Sequence, residues 1–504
     1  MAKKTIRTIP QERTPIEVQP PHERVENFTE VTLGYQLDDA LNEAERCLMC
    51  PQPACVPGCP VKIDIPGFIQ KIIDRDFRGA YDLISDANLL PAICGRVCPQ
   101  EDQCEGVCPV GETLEPVAIG RLERWVGDLA IEKGWANIPY MEPNGYRIGI
   151  VGSGPAGIAC AADMAKAGCD VTVFEAFHKP GGVLRYGIPE FRLPETVIQG
   201  EIDSLRQLGV NIECNTLVGR LFTIEQMIDE MGFDAVFIGT GAGSPRFMQI
   251  PGEFLNGVLS ANELLTRCNL MQAGEFPDYD TPLHLGRRVA VIGAGNTAMD
   301  AMRVSLRLGA DKVYCVYRRT QAESPAREEE IEHAMEEGVE FHWLSTPVEI
   351  LDDGHGNARG MRCQRMELGE PDDSGRRRPV PVEGSDYEFE ADMIVYAIGT
   401  SANPIIGQTS RLALNQWGFI KTDENMATSI AGVYAGGDIV TGGATVILAM
   451  GAGRRAAHSM KQYLRIRDTE SVYQDQPADL EQALFGISRQ EQNFTRIRLT
   501  GNSG

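Results

Sequence analysis

Apolar residues along this chain follow two rhythms. Up to about residue 134 they recur at three- and four-residue intervals. Val117, Ile119, Leu122, Val126 and Leu129 form one buried stripe on a helix over about Val117–Gly134, and stretches from Leu37, around Ile65–Arg75 and Phe77–Leu90 also read as helices. From Arg147 the pattern changes to short apolar runs that stop at glycine or a charge. Ile148, Ile150 and Val151 stop at Gly152, and Val171, Val173 and Phe174 end on Glu175, with a small-residue helix between them. Asp234–Gly243 and Ala391–Thr400 read as buried parallel strands ending in glycine, and Ala391–Thr400 is expected to return the chain to the first strand-helix unit. Residues 340–390 alternate polar and apolar and predict hairpins, with Gly375–Arg378 as a solvated tip; Glu328–Glu330 read as a solvated helix start. The class is α/β, with a helical domain first.

Composition narrows this picture. A chain of 504 residues suggests about three domains. The net charge of -24 argues against a nucleic-acid surface. No apolar stretch reaches the roughly 18 residues of a membrane span. The first residues lack the apolar core of a secretory signal, so a cytoplasmic location is expected, where thiols stay reduced. The 14 cysteines are then ligands rather than disulfides. Residues 1–36 are polar and proline-bearing, either a disordered leader or a docking arm, and the tail 466–504 is either disordered or a partner contact.

Two glycine-rich turns carry the nucleotide chemistry. In the first, Gly152 permits the turn, Gly154 admits a pyrophosphate beside Pro155 and Ala156 at the helix start, and Gly157 permits close packing of helix and strand. Glu175 is placed to bond a ribose 2′-hydroxyl. Gly182, Gly241 and Gly437 read as backbone close to a bound ring or phosphate. Asp438, at a strand end, suits a flavin ribityl or pyrophosphate neighbourhood, and the helix starting near Ala444 can stabilise negative charge on a reduced flavin. In the second turn Gly293, Gly295 and Ala298 hold the fingerprint positions, with Asn296 and Thr297 between them. Its second strand ends on Arg318 and Arg319 rather than an acid, which matches a 2′-phosphate and hence NADPH; Arg327 could assist.

Eight cysteines crowd between Cys47 and Cys108, as Cys47-x2-Cys50-x4-Cys55-x3-Cys59-Pro60 and Cys94-x3-Cys98-x5-Cys104-x3-Cys108-Pro109. The closing Cys-Pro of each group is similar to the bacterial ferredoxin run, and soft thiolates so spaced suit iron-sulfur clusters. Structural zinc is the alternative, but neither group shows paired C-x2-C knuckles.

Taken together, the cysteine groups with CGRVCPQ at Cys94–Gln100, IGRLER at Ile119–Arg124, the two fingerprints and AGGD at Ala435–Asp438 resemble the small (beta) subunit family of NADPH-dependent glutamate synthase over about Leu37–Tyr463. Related modules occur in the NADPH-oxidising end of dihydropyrimidine dehydrogenase and in the large subunit of NADH-dependent ferredoxin:NADP oxidoreductase. The resemblance implies an N-terminal helical iron-sulfur domain (37–134) with two 4Fe-4S clusters, then two Rossmann-like domains resembling adrenodoxin reductase, the second inserted in the first. These are an FAD domain (147–286 and 391–465) and an NADPH domain (287–390). It implies Cys47, Cys50, Cys55 and Cys108 on one cluster. Cys59, Cys98 and Cys104 fall on the other, with Glu123 as fourth ligand and Cys94 as the alternative. The implied activity is NADPH oxidation through FAD and the clusters, with no classical catalytic residue. The implied partner is a glutamate synthase large subunit, forming L-glutamate from glutamine and 2-oxoglutarate in a hetero-oligomer. Ala2 follows Met1, so the amidotransferase nucleophile is expected on that partner. The alternatives are the large subunit of a ferredoxin-dependent NAD(P)H transhydrogenase and a non-catalytic zinc-bearing assembly module.

Overall fold

The computed structural model describes residues 9–135, 142–372 and 375–466. The first eight residues, part of the linker before Tyr146 and almost all of the tail 466–504 lie outside them.

Helices Leu37–Ala44, Ile65–Ile73, Phe77–Ala87, Pro91–Val97 and Ile119–Lys133 form the first domain. Asp64 and Asp76 cap two of them by accepting the N–H of Gly67 and Gly79. The cysteine-bearing helix Pro91–Val97 lies directly on Ile119–Lys133. A Cβ at Gly95 would stand 2.5 Å from the Arg124 backbone nitrogen, so only glycine permits this contact.

Two five-stranded parallel sheets follow. The first runs Val433–Ala435, Ala235–Ile238, Arg147–Val151, Asp170–Phe174, Asn211–Glu213; the second runs Val258–Ser260, Met393–Tyr396, Arg288–Ile292, Lys312–Tyr317, Glu340–Trp343. The second lies between the strands Ala235–Ile238 and Val433–Ala435 of the first, so it is inserted within it. One expectation is corrected. Met393–Tyr396 pairs with Arg288–Ile292 and Val258–Ser260, so Ala391–Thr400 belongs to the second sheet and the chain rejoins the first at Val433. Its likeness to Asp234–Gly243 reflects equivalent places in two sheets of one design.

Packing differs between the two. The first sheet shares a continuous apolar core with the helical domain, in which Ile69, Ile93 and Leu122 join Ile148, Val171 and Met460. The second has its own core around Val289, Met302 and Val395, joined by Val31 and Phe191. Ion pairs and cation-π contacts add to this link. Arg192 pairs with Asp300 (2.8 Å) and Glu330 (3.1 Å), and Arg303 and Arg307 stack over the Phe191 ring. Glu330 is thus a buried ion-pair partner, not part of a solvated helix start.

The described part of residues 9–36 is a strap across all three domains. Arg13 pairs with Glu105, Thr14 N–H donates to Glu43 at 2.7 Å, and Glu30 pairs with Arg96 and Arg124. Val31 N–H donates to Phe191 O at 2.9 Å, and buried Arg24 pairs with Glu336 and Glu337. No helix among the described residues is long and apolar enough to cross a membrane.

Candidate functional site

The first turn leaves Arg147–Val151 through Gly152 at φ +98°, where a Cβ would stand 2.6 Å from Gly239 O. Gly154 caps the helix Pro155–Lys166, whose free N–H groups and dipole face the cavity. Glu175, buried at the end of Asp170–Phe174, accepts the N–H of Ser153 (3.1 Å) and of Phe177 (2.9 Å) and the Ser153 hydroxyl. Gly152, Gly154, Pro155, Ala156, Glu175, Gly182, Gly241, Gly437 and Asp438 all line one cavity. Gly157 does not. A Cβ there would meet Gly152 O at 1.9 Å, so its place is in the packing of helix on strand. Burial pushes the Asp438 carboxyl up to about 6, and the Ala444 N–H at 3.2 Å offsets only part of that. Behind it the helix Val446–Tyr463 is capped by Thr445.

The second turn repeats the first. Gly293 has φ +127°, and a Cβ would stand 2.4 Å from Ala397 O. Gly293, Gly295, Asn296, Thr297, Arg318 and Arg319 line the same cavity of about 1450 Å³, whereas Ala298 is buried in the helix packing. Arg318 is exposed at the strand end. Arg319 is buried, its Nε donating to Arg377 O at 2.8 Å and its Nη2 to Asp372 at 2.5 Å. Arg376, expected on a solvated tip, lines the cavity as well. Arg327 turns away from it and reaches the helical domain, donating to Arg96 O at 2.7 Å and pairing with Glu329.

The helical domain enters the cavity wall at Val97 and Pro99, on either side of Cys98. Behind that wall Cys59, Cys98, Cys104 and Glu123 are electrostatic neighbours. Burial, more than the charges of its neighbours, pushes the Cys59 thiol up to about 12 and the Glu123 carboxyl to about 8. Glu123 is buried with them. Asn88, fully buried, donates to Glu123 and lies 3.6 Å from the Cys94 sulfur, holding both in place. Cys47, Cys50, Cys55 and Cys108 line a second, small void among Ile65, Ile69, Val117 and Ile119. Burial and the facing thiols push Cys55 up to about 12. Thiols this hard to ionise become ligands when a strongly Lewis-acidic centre takes the proton's place, so the donor set fits iron-sulfur ligation. Among the described residues no three such groups converge on a single-ion site. The thiols of the outer set line a small void among apolar side chains.

Comparison with known proteins agrees with this geometry. The family described as dihydropyrimidine dehydrogenase domain II, 4Fe-4S cluster, matches residues 24–135, and pyridine nucleotide-disulphide oxidoreductase matches 146–457. The glutamate synthase [NADPH] small chain of Halomonas elongata is 35% identical over 89% of this chain and 96% of its own length. This chain belongs to the NADPH glutamate synthase small-chain family. The beta subunit of an NADP(+)-dependent formate dehydrogenase from Moorella thermoacetica is 38% identical over 84% of this chain, which spans 61% of that relative. FprA from Mycobacterium tuberculosis in complex with NADPH shares the fold at TM-score 0.54 and 21% identity, over 64% of this chain and 85% of FprA. This chain is thus an NADPH-dependent oxidoreductase that takes FAD, NADPH and iron-sulfur clusters.

Asn88 beside Glu123, and Val97, Pro99 and Arg376 on the cavity wall, were not legible in the sequence. An asparagine after a helix and two residues flanking a cysteine carry no pattern of their own, and Arg376 sits in a run that reads as a solvated tip.

Proposed function

We propose that this chain is the electron-input subunit of a hetero-oligomer, with FAD on the first turn, NADPH on the second and a cluster on each thiol set. The observation that carries this reading is the single cavity that joins both turns and is walled at one point by the residues flanking Cys98. Bound there, the flavin supplies hydride acceptance from NADPH and single-electron release to the clusters. The chain's own residues bind and orient. Glu175 with Gly152, Gly154, Pro155 and Ala156 holds one dinucleotide, and Gly182, Gly241, Gly437 and Asp438 close over it. Gly293, Gly295, Asn296, Thr297 and Arg318 hold the other, while Gly157 and Ala298 keep each helix against its strand.

Cys59, Cys98, Cys104 and Glu123 hold the cluster nearer the cavity, with Asn88 orienting Glu123. Cys47, Cys50, Cys55 and Cys108 hold the outer one. Cys50 and Cys108 are the more exposed thiols of the two sets, which supports exit of electrons on that side. The partner we favour is a glutamate synthase large subunit, the complex forming L-glutamate from glutamine and 2-oxoglutarate. The 38% identity to a formate dehydrogenase subunit supports a second reading, in which the same input module serves another catalytic subunit. Reconstitution separates them. Adding a glutamate synthase large subunit should give NADPH- and glutamine-dependent glutamate formation, and no glutamate alongside intact NADPH-driven cluster reduction would favour the second reading.

A further inference from the structure

The second nucleotide unit has an attachment that the first lacks. The long strand Ala358–Pro371 pairs with Arg377–Pro381, and this arm of the antiparallel sheet returns beside the end of Lys312–Tyr317. Its described ends are closed by Asp372 N–H on Arg376 O and Gly375 N–H on Asp372 O, both at 2.8 Å. Arg319 ties it to the parallel sheet. Two of its nitrogens are already committed to Arg377 O and Asp372, and its own carbonyl accepts the Leu344 N–H at 3.1 Å. Arg376 and Arg318 both line the cavity, as do Ser345 and Thr346. The charges of Arg319 and Arg376 repel Arg318 and that of Asp372 offsets only part of this, so a further anion between Arg318 and Arg376 is favoured.

We propose that Arg376 and Arg318 form a two-armed clamp for the 2′-phosphate of NADPH, with Arg319 as the positioning residue that sets the hairpin carrying Arg376. The inference rests on the reading of the second turn as the NADPH site. Two planar guanidiniums can each make charge-assisted hydrogen bonds to a phosphate dianion, whereas a strand end alone offers one. Arg319, expected from the strand end to contact the phosphate directly, acts instead through the hairpin.

The test uses the cofactor-loaded protein and isothermal titration with adenosine 2′,5′-bisphosphate and, separately, 5′-AMP. Arg376→Ala should weaken the bisphosphate about tenfold or more and leave 5′-AMP unchanged, with Arg376→Lys recovering part of the loss. Arg319→Gln should weaken the bisphosphate too, and should raise amide exchange in residues 375–381, which Arg376→Ala leaves protected. Bisphosphate binding unchanged in Arg376→Ala but lost in Arg318→Ala would overturn the clamp alone. Binding unchanged in both would overturn the assignment of the second turn as well.

Discussion

Both nucleotide turns leave the middle strand of a five-stranded parallel sheet through a glycine in the left-handed region, and in both a Cβ would strike a carbonyl of the neighbouring strand end. At the end of the next strand they part. The first presents Glu175, already accepting three hydrogen bonds; the second presents Arg318, with Arg376 brought beside it by Arg319. On the proposed reading, one backbone design serves two dinucleotides and the choice between them sits in a few charges. The attachments differ as well. The first sheet is continuous with the helical domain through apolar packing, while the second takes Val31 and Phe191 into its own core and is tied by Arg24 to Glu336 and Glu337 and by Arg192 to Asp300 and Glu330.

The largest effects should come from the paired glycines. Gly152→Val imposes a strained φ worth about 1–3 kcal/mol on top of the overlap with Gly239 O, and should leave protein without flavin. Gly293→Val should retain flavin that NADPH no longer bleaches. Flavin content and anaerobic absorbance check both, and equal flavin loss in the two variants would break the comparison.

Next comes the ionic attachment. Burial alone would raise the Glu337 carboxyl, but hydrogen bonds from Arg307 and Arg303 outweigh it and hold it at about 2. Its contribution to stability is therefore complete above about pH 4.5 and is lost as pH falls towards 2. Glu337→Ala, which leaves buried arginines unpaired, should cost about 3–5 kcal/mol in denaturant unfolding near neutral pH, with the gap to wild type narrowing in acid. A smaller effect is expected at the strand ends. Arg318→Ala should lower kcat/KM for NADPH about 10- to 100-fold, or roughly 1.5–3 kcal/mol, without changing NADH. Glu175→Gln should weaken flavin retention by about 1 kcal/mol, since its one amide oxygen can replace only one of the two acceptors, Oε2 facing Ser153 or Oε1 facing Phe177.

The class of fold, its order and both turns were legible because glycine spacing and strand-end charge are local. Sheet membership was not. Ala391–Thr400 has the same apolar run and glycine ending as Asp234–Gly243, and only pairing with Arg288–Ile292 tells the two apart. The same holds for charges whose partners lie far along the chain. Glu330 reads as solvated until Arg192 and Arg303 close on it, and Arg376 until its hairpin, bonded by Arg319, sets it on the cavity wall. The strap had no apolar period to announce it, because polar contacts such as Arg24 with Glu337 hold much of it.

Electron input from NADPH through flavin to two clusters is tested most directly by anaerobic purification with iron, acid-labile sulfide and flavin analysis, followed by NADPH titration watched by absorbance. About eight irons and one FAD per chain, with the flavin bleaching as NADPH is added, is the result predicted. Zinc in place of iron, or bound flavin that NADPH leaves oxidised, would contradict it.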